Sequence, residues 1–478
     1  MQNISALITL LAYSAVLFGV GLWAAQRAKS QEAFLLGGRN LGPIVAGVAY
    51  AASSSSAWVL LGFSGFVYVA GPSALWMVPG ILGGYVAVWF GTGPVLQSSS
   101  AEKNHLTLTD FLTEDAGRKT ARWIRIAASL MIAFCFAFYV ASQFQGAGIA
   151  FDDLFGTGLA TGVLIGAVII LGYTFLGGFM AVSLIDTLQG FLMAAVSILL
   201  PALAFFAAGG FSGLAETLSS APDAYRDGFG DRTGFVAAGF VIGLVATGFG
   251  ALGQPHLLAW IMATRSRKAR VTGAGIAMGW ACLVYLGMAV LGLSARALLG
   301  TEAAAEGVFF QLASDLLPSV FAGIIAAATL SAIMSTVDSQ LLVVGGAISH
   351  DLGLAKAFGG RDVLVSRLAI VAVCIAAIVI TLVLPATIFD RTLFAWSALG
   401  ASFGPTVVAR ACGLRASGGY VLASILLGFG LSIGYEFFLD AGPGAVWSRT
   451  LPWVLAAVPL IIAAITRENV RPAIDAKE

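Results

Sequence analysis

Long apolar stretches recur from one end of the chain to the other, with short polar segments between them. A helix of about 20 apolar residues crosses the hydrocarbon of a bilayer. Hydropathy and loop punctuation predict about thirteen such spans, near residues 4–25, 42–70, 73–97, 124–150, 160–182, 187–209, 235–263, 272–298, 319–346, 364–386, 391–411, 417–439 and 450–466. The pattern is that of an all-α polytopic membrane protein. Two spans are interrupted. Residues 51–58 read AASSSSAW inside the second, and residues 247–256 read TGFGALGQPH inside the seventh. In hydrocarbon every backbone N–H and C=O needs a partner, so irregular backbone persists only where it is buried in protein or lines a cavity. The two breaks are five spans apart, and an odd offset reverses orientation across the membrane. Spans 2–6 and 7–11 therefore predict two inverted halves, each opening with a broken helix, which in transporters points to the solute site. Close helix packing through small residues is the competing explanation for the serines and glycines.

Composition strengthens the membrane reading: 59% of residues are apolar and 10% charged, where soluble domains carry about 25% charged residues. Charge then orients the spans. Of the 25 lysines and arginines, only Arg226, Arg232, Arg296, Arg391 and Arg449 fall outward if the N-terminus is outside, leaving twenty inward. A miscounted span would spoil that asymmetry. The expectation is a multi-pass protein of the cell (inner) membrane, N-terminus outside and C-terminus cytoplasmic. A net charge of +1 gives no sign of a nucleic-acid partner. Cys135, Cys282, Cys374 and Cys412 stand singly, with no CxxC or metal spacing, and read as small packing residues. The first 25 residues lack a basic leader and read as a retained helix rather than a signal peptide. No soluble module is expected in the 210–234 loop or after residue 466.

Polar residues inside the spans carry the candidate chemistry, because a buried carboxylate costs about 2.5 kcal/mol or more and is kept for a reason. Asp186, in GGFMAVSLIDTLQG, is placed between spans 5 and 6, and Asp338, in TLSAIMSTVDSQLLV, in the inner half of span 9. Ser335, Asp338 and Ser339 share one helix face there, with Thr336 beside them. A carboxylate, hydroxyls and the freed carbonyls of a broken helix supply the oxygens that small hard cations take. Tyr139 and Gln143, one turn apart in span 4, are expected to face the same cavity as the breaks or to pack between helices. Arg39, in LLGGRNLG, is a positive anchor or part of an inner gate. His256, after Pro255, is expected to satisfy local backbone, and His105 and His350 fall in loops. HExxH, GxSxG and Walker A motifs are absent, which lowers any enzyme reading.

The segments LLGGRNLG, SSSSAWVLLGFSGFVYVAG, YTFLGGFMAVSLIDTLQGFLM, GQPHLLAWIMA and STVDSQLLVVGGAIS, in that order, resemble the sodium:solute symporter family, nearest its sodium/proline branch. The resemblance runs from about residue 31 to 410. It implies a LeuT-type 5+5 inverted-repeat core over residues 31–411, with repeats at 42–209 and 235–411. Residues 1–30 would be a peripheral first helix, and 412–478 two peripheral C-terminal helices with a short cytosolic tail. It implies sodium (Na+) as the coupling ion and a small organic solute, an amino acid such as proline, moved by alternating access.

Carried over, the sodium site would use the carbonyls of Ala52, Ser55 and Ala332 and the hydroxyls of Ser335 and Thr336. Asp186 with Ser335, Asp338 and Ser339 matches a second ion site of some members. Asp338 stands where those members carry a serine, so a second ion, a proton or a polar link all stay open. The solute would lie among Ser53, Ser54, Trp58, Tyr139, Gln143, Thr247, Ala251 and Pro255, with Arg39 at the gate. Two departures stand out. The proline branch has an acid where this chain has Ser54, and a tryptophan and a tyrosine where it has Thr247 and Ala251. A proton-coupled carrier and a transporter-like solute sensor without net transport are the alternatives.

Overall fold

The computed structural model describes residues 4–25, 31–174, 178–318 and 321–466. Its elements are helices: α1 (Ile4–Ala25), α2 (Pro43–Ala57), α3 (Ser64–Ala70), α4 (Met77–Val86), α5 (Leu108–Thr113), α6 (Arg118–Phe155), α7 (Leu159–Thr174), α8 (Phe179–Ala207), α9 (Gly234–Val245), α10 (Pro255–Met262), α11 (Arg267–Leu299), α12 (Ala322–Gly346), α13 (Asp362–Val383), α14 (Ile388–Ala411), α15 (Gly418–Phe437) and α16 (Val446–Ile465). An isolated bridge joins Leu41 and Thr264. The expected cytosolic tail after residue 466 and the basic residues Arg27 and Lys29 lie outside the described residues.

Among the described residues ten helices are long and apolar enough to cross a membrane, not thirteen. The difference has a physical origin. Pro43–Glu102 is a succession of helical segments with no polar loop between them, 60 residues long and about three times what one crossing needs, and it covers the second and third expected spans. Leu7–Trp23 and Leu159–Gly172, in the first and fifth expected spans, are apolar but shorter than a full crossing among the described residues. The burial of each helix sorts the bundle. The most apolar window of the helix holding α12 is 94% buried, whereas those of α15 and α16 are 28% buried, with Leu426, Leu427, Ile461 and Ile462 among the side chains facing outward.

Both expected breaks are present. In α2, Ser56 leaves helical geometry at φ 37°, ψ −171°, and the chain continues through a wide turn, Trp58–Phe63, into α3. In the second, α9 gives way to eight residues of 3₁₀ turns, Ala246–Gly253. Runs of 3₁₀ longer than about four residues are uncommon and often mark a hinge. Gln254 is then extended (ψ 107°), and Pro255 starts α10. Glycine makes this segment possible. A Cβ on Gly250 would lie 1.9 Å from the Trp396 ring of α14, and one on Gly248 would lie 1.9 Å from the Gly80 carbonyl of α4.

The helix contacts come in pairs that an inverted repeat demands. The first broken helix packs on α8 and α11, and the second on their counterparts, α14 and α4. The α6–α14 contact is matched by α8–α12, and α6–α7 by α12–α13. Outside these pairs, α1 leans on α8 and α12, and α15 and α16 pack on each other and on α14.

The loops gather in two groups. At one end, Leu41 N–H donates to the Ala263 carbonyl (3.1 Å) and Arg265 N–H to the Leu41 carbonyl (3.1 Å). Arg39 donates to Ser100 and to the His105 carbonyl, Arg410 pairs with Asp115 at 3.3 Å, and Arg125 with Asp110 at 2.8 Å. At the other end, Gly71 lies against Tyr225, and Glu306 accepts from Phe389 N–H at 3.2 Å.

Gly250→Ala should lower the melting temperature of purified protein by several degrees, since overpacking costs about 1–3 kcal/mol. Gly279→Ala, whose new methyl meets no atom within 4 Å, should leave it unchanged or slightly raised. Equal effects from the two would remove steric contact with Trp396 as the reason for glycine at 250.

Candidate functional site

The break in α2 lies against α12, and four of the five expected cation ligands meet there. Ser335 Oγ is 3.4 Å from the Ala52 carbonyl and 3.3 Å from the Ala332 carbonyl. Thr336 Oγ1 is 3.3 Å from the same Ala332 oxygen and donates to the Ser53 carbonyl at 2.8 Å. Hydroxyls in helix interiors usually bond back to the preceding turn, but these two also reach across to a second helix whose carbonyls the break has released. The fifth expected ligand, the Ser55 carbonyl, accepts from Trp58 N–H in the local turn, and the Ser55 hydroxyl is buried without a partner. All these oxygens are neutral, a donor set that suits a hard monovalent cation.

Ser53, expected beside the solute, turns the other way. Its hydroxyl donates to the Ser335 carbonyl at 2.7 Å and is 2.6 Å from Ser339 Oγ. It therefore belongs to the α2–α12 seam. Ser339, expected near the acids, is held in this seam.

Asp186 is not in a loop between spans. It sits in the second turn of α8 and is fully buried. Neither of its oxygens has a hydrogen-bond partner among the described residues. Asp338, also fully buried, acts on it electrostatically from α12. Two buried carboxyl groups within electrostatic reach of each other repel when both are charged. Tyr13 of α1 bonds Ser331 of α12 and lies within electrostatic reach of Asp186; nothing in the sequence pattern pointed to α1 as a wall of this region.

On the other side of the break Gln143 has a specific task. Its Oε1 accepts from Ala57 N–H at 3.1 Å, a backbone donor the break has freed, and its Nε2 donates to Ser142 Oγ at 3.0 Å. Trp58 donates from Nε1 to the Ser54 carbonyl at 3.2 Å. Its ring stands among Tyr285, Phe389 and Phe63, with centroids 5.9, 6.2 and 6.5 Å away. Ser54 bonds Tyr85, and the buried Tyr139 hydroxyl has no partner. Tyr85, Tyr139 and Tyr285 are close enough to influence one another electrostatically. Tyr85 and Tyr285 were missed in the sequence; both lie in spans whose pattern gave no break.

The second break does not present its expected side chains to this side of the first. The Thr247 hydroxyl accepts from Arg449 at 3.2 Å, and its carbonyl accepts from Trp396 Nε1 at 2.8 Å. Ala251 is buried and offers only a methyl. Pro255 and His256 border a small cavity of about 30 Å³ shared with Ser339. His256 does not satisfy local backbone as expected: it is buried, neither ring nitrogen has a partner among the described residues, and its ring meets Phe136 (5.3 Å) and Tyr139 (6.3 Å) edge to face.

Arg39 has a positive φ of 53° and ties three segments together at one end of the bundle, with Glu32 at 2.8 Å completing its bonds. Nearby, His350 lies 3.1 Å from Asp110, and Asp351 accepts from Thr107 at 2.8 Å. Asp110, His350 and Asp351 are close enough to hold a metal, but Arg125 already supplies their cation, 2.8 Å from Asp110 and 3.5 Å from Asp351. Burial pushes the Asp110 carboxyl up, yet its bond to His350 and the Arg125 charge outweigh that and hold it well below the usual carboxylate range. Burial pushes the His105 imidazole down to about 4.

The sequence pattern that describes the sodium:solute symporter family matches residues 34–416. The high-affinity proline transporter of Bacillus subtilis (strain 168) is 34% identical over 418 residues, covering 86% of this chain and 87% of that protein. The sodium/proline symporter of Escherichia coli (strain K12) is 33% identical over 437 residues, 88% of this chain and 86% of its own length. The fold is similar to that of a Na+-coupled sialic acid symporter in a substrate-bound, outward-open state (TM-score 0.81, 16% identity, 98% of each chain). It is also similar to a nucleobase-cation-symport-1 family transporter in a closed conformation (TM-score 0.59, 11% identity, 93% of this chain and 96% of that one).

Gln143→Leu leaves the Ala57 N–H buried and unpaired, which costs about 1–3 kcal/mol; a melting temperature equal to wild type would show that another group caps the break. His105 is a base with a depressed folded value, so the unfolded chain binds more protons between about pH 6.5 and pH 4. Stability should therefore fall as pH drops through that window, and His105→Gln should flatten the fall in a melting-temperature series.

Proposed function

The chain belongs to the sodium:solute symporter family, and on that premise we propose that it imports proline or a closely related amino acid, with sodium bound at the α2–α12 junction. The observation that carries this is the convergence of Ala52, Ala332, Ser335 and Thr336 oxygens at the break. In the ion's absence the two hydroxyls donate to those carbonyls; sodium replaces these bonds with ion–oxygen contacts and locks the break against α12. Ser55 is the fifth ligand. The solute lies on the opposite side of the break, where Tyr139 and Ser55 hydroxyls await partners and Trp58 and Gln143 shape the wall. Proline is the first solute to test because the two bacterial relatives above are named for it.

The architecture is read as LeuT-type, with thirteen crossings, repeats at 42–209 and 235–411, N-terminus outside and C-terminus cytoplasmic. The grouping of the loops supports this parity. Segments expected inside, around residues 39, 100–125, 264, 351 and 410, contact one another, and those around 71, 225, 306 and 389 gather at the far end. Arg39 is placed at the inner gate. Sodium entry gains about 2.3 kcal/mol per 100 mV of potential, and about 1.4 kcal/mol supports each tenfold solute gradient. One ion with its own concentration gradient suffices. Asp186 and Asp338 form a second site, for a cation or a proton, a reading favoured by the two unpartnered oxygens of Asp186.

Thr336→Ala should raise the sodium concentration for half-maximal proline uptake in proteoliposomes at least tenfold with expression nearly intact. Unchanged sodium activation would remove Thr336 from the site. Asp186→Asn should abolish any dependence of uptake on an imposed pH gradient if the second site takes a proton, or lower the number of sodium ions per cycle if it takes a cation. Binding of proline with no net uptake would favour a sensor.

A further inference from the structure

Between α6 and α15 the outer surface of the bundle carries a groove of about 820 Å³. Trp123, Leu130 and Phe134 of α6 and Leu422, Leu426 and Ile433 of α15 line it, and every other lining residue is also apolar. The two helices touch near each end of it. At its polar end Gly418 lies against Ala116 and Thr120, and at the other the Phe134 and Phe429 rings meet edge to face at 6.0 Å. From Trp123 to Phe134 the helix rises about 16 Å, roughly half the thickness of a hydrocarbon core.

The same helical stripe continues into charge. Lys119 lies one turn before Trp123, and Arg122 one turn before Ile126, both exposed. Their neighbours Arg125 and Arg415 are engaged by Asp110 and Asp115. Neither Lys119 nor Arg122 has an ion-pair partner among the described residues. Trp123 stands between the two zones, where amphipathic rings sit at the headgroup level.

We infer that this groove is a binding site for an anionic phospholipid, its acyl chain lying along α6 and α15 and its phosphate held by Lys119 and Arg122. A basic cluster at the cytoplasmic end of a cleft between membrane helices is the combination that selects anionic headgroups. The groove supplies depth for one chain and the stripe supplies the charge. Neither the solute nor the cation site is involved.

The test is native mass spectrometry of the full chain in detergent, with phosphatidylglycerol or phosphatidylcholine of the same acyl chains added. Each removed charge should weaken binding about fivefold. Wild type should retain phosphatidylglycerol about 25-fold better than phosphatidylcholine, and the Lys119→Ala/Arg122→Ala variant should retain the two alike. Lys119→Arg/Arg122→Lys should keep the preference. Arg267→Ala/Lys268→Ala removes equal charge from an exposed segment elsewhere and should also keep it. Ala127→Trp fills the groove and should release both lipids. Equal retention of the two lipids by wild type would overturn the proposal, as would the same loss from both alanine pairs. So would a dimer that Ala127→Trp dissociates without changing lipid retention, which would assign the groove to a second copy of the chain.

Discussion

Everything around the centre of this molecule depends on one constraint: a helix cannot stop inside a membrane without giving its backbone groups new partners. At Ser56 the helix stops, and the structure answers group by group. Gln143 takes the Ala57 N–H, the Ser56 hydroxyl accepts from Trp58 N–H at 3.3 Å, and the hydroxyls of Ser335 and Thr336 reach the carbonyls of Ala52 and Ser53. The partners come from α6 and α12, so the break fixes which helices must be central. A break satisfied by hydroxyls is also one whose carbonyls can be handed to a cation without rebuilding the backbone. The cation site proposed at this break would in this sense be a by-product of the repair.

The second break solves the same problem differently. No serine run is available, so the chain narrows into 3₁₀ turns whose own bonds remain local, and glycines bring its backbone against α4 and α14. Trp396 and Gln254 exchange the remaining bonds: the Trp396 indole donates to the Thr247 carbonyl and Gln254 Nε2 to the Trp396 carbonyl at 2.9 Å. Where one half of the repeat offers hydroxyls, the other offers closely packed backbone.

Much of this was legible in the sequence because it is written locally. Four serines or three glycines in mid-span announce a break wherever the chain goes, and the spacing of Ser335, Asp338 and Ser339 places them on one face without knowledge of neighbours. What was not legible depends on contacts between distant segments. Ser53 faces α12 rather than the solute because of residues about 285 positions away. Thr247 is claimed by Arg449 and Trp396, some 200 and 150 positions along. Asp186 was expected between two spans because the helix containing it begins earlier than hydropathy indicated. The long helical run Pro43–Glu102 likewise hides two expected spans, because turns of altered pitch join them without a polar loop.

The small bridge between Leu41 and Thr264 joins the segment before the first break to the segment after the second. The two interrupted helices are therefore not independent hinges at this end: they are fastened to each other by a pair of backbone hydrogen bonds. Separating them gives up two bonds, each worth about 1 kcal/mol net, which biases the shut arrangement by roughly thirtyfold. No side chain takes part, so this latch is indifferent to pH, to salt and to most substitutions. It acts as a fixed threshold on which the ion pairs around Arg39 and Asp110 add their adjustable share.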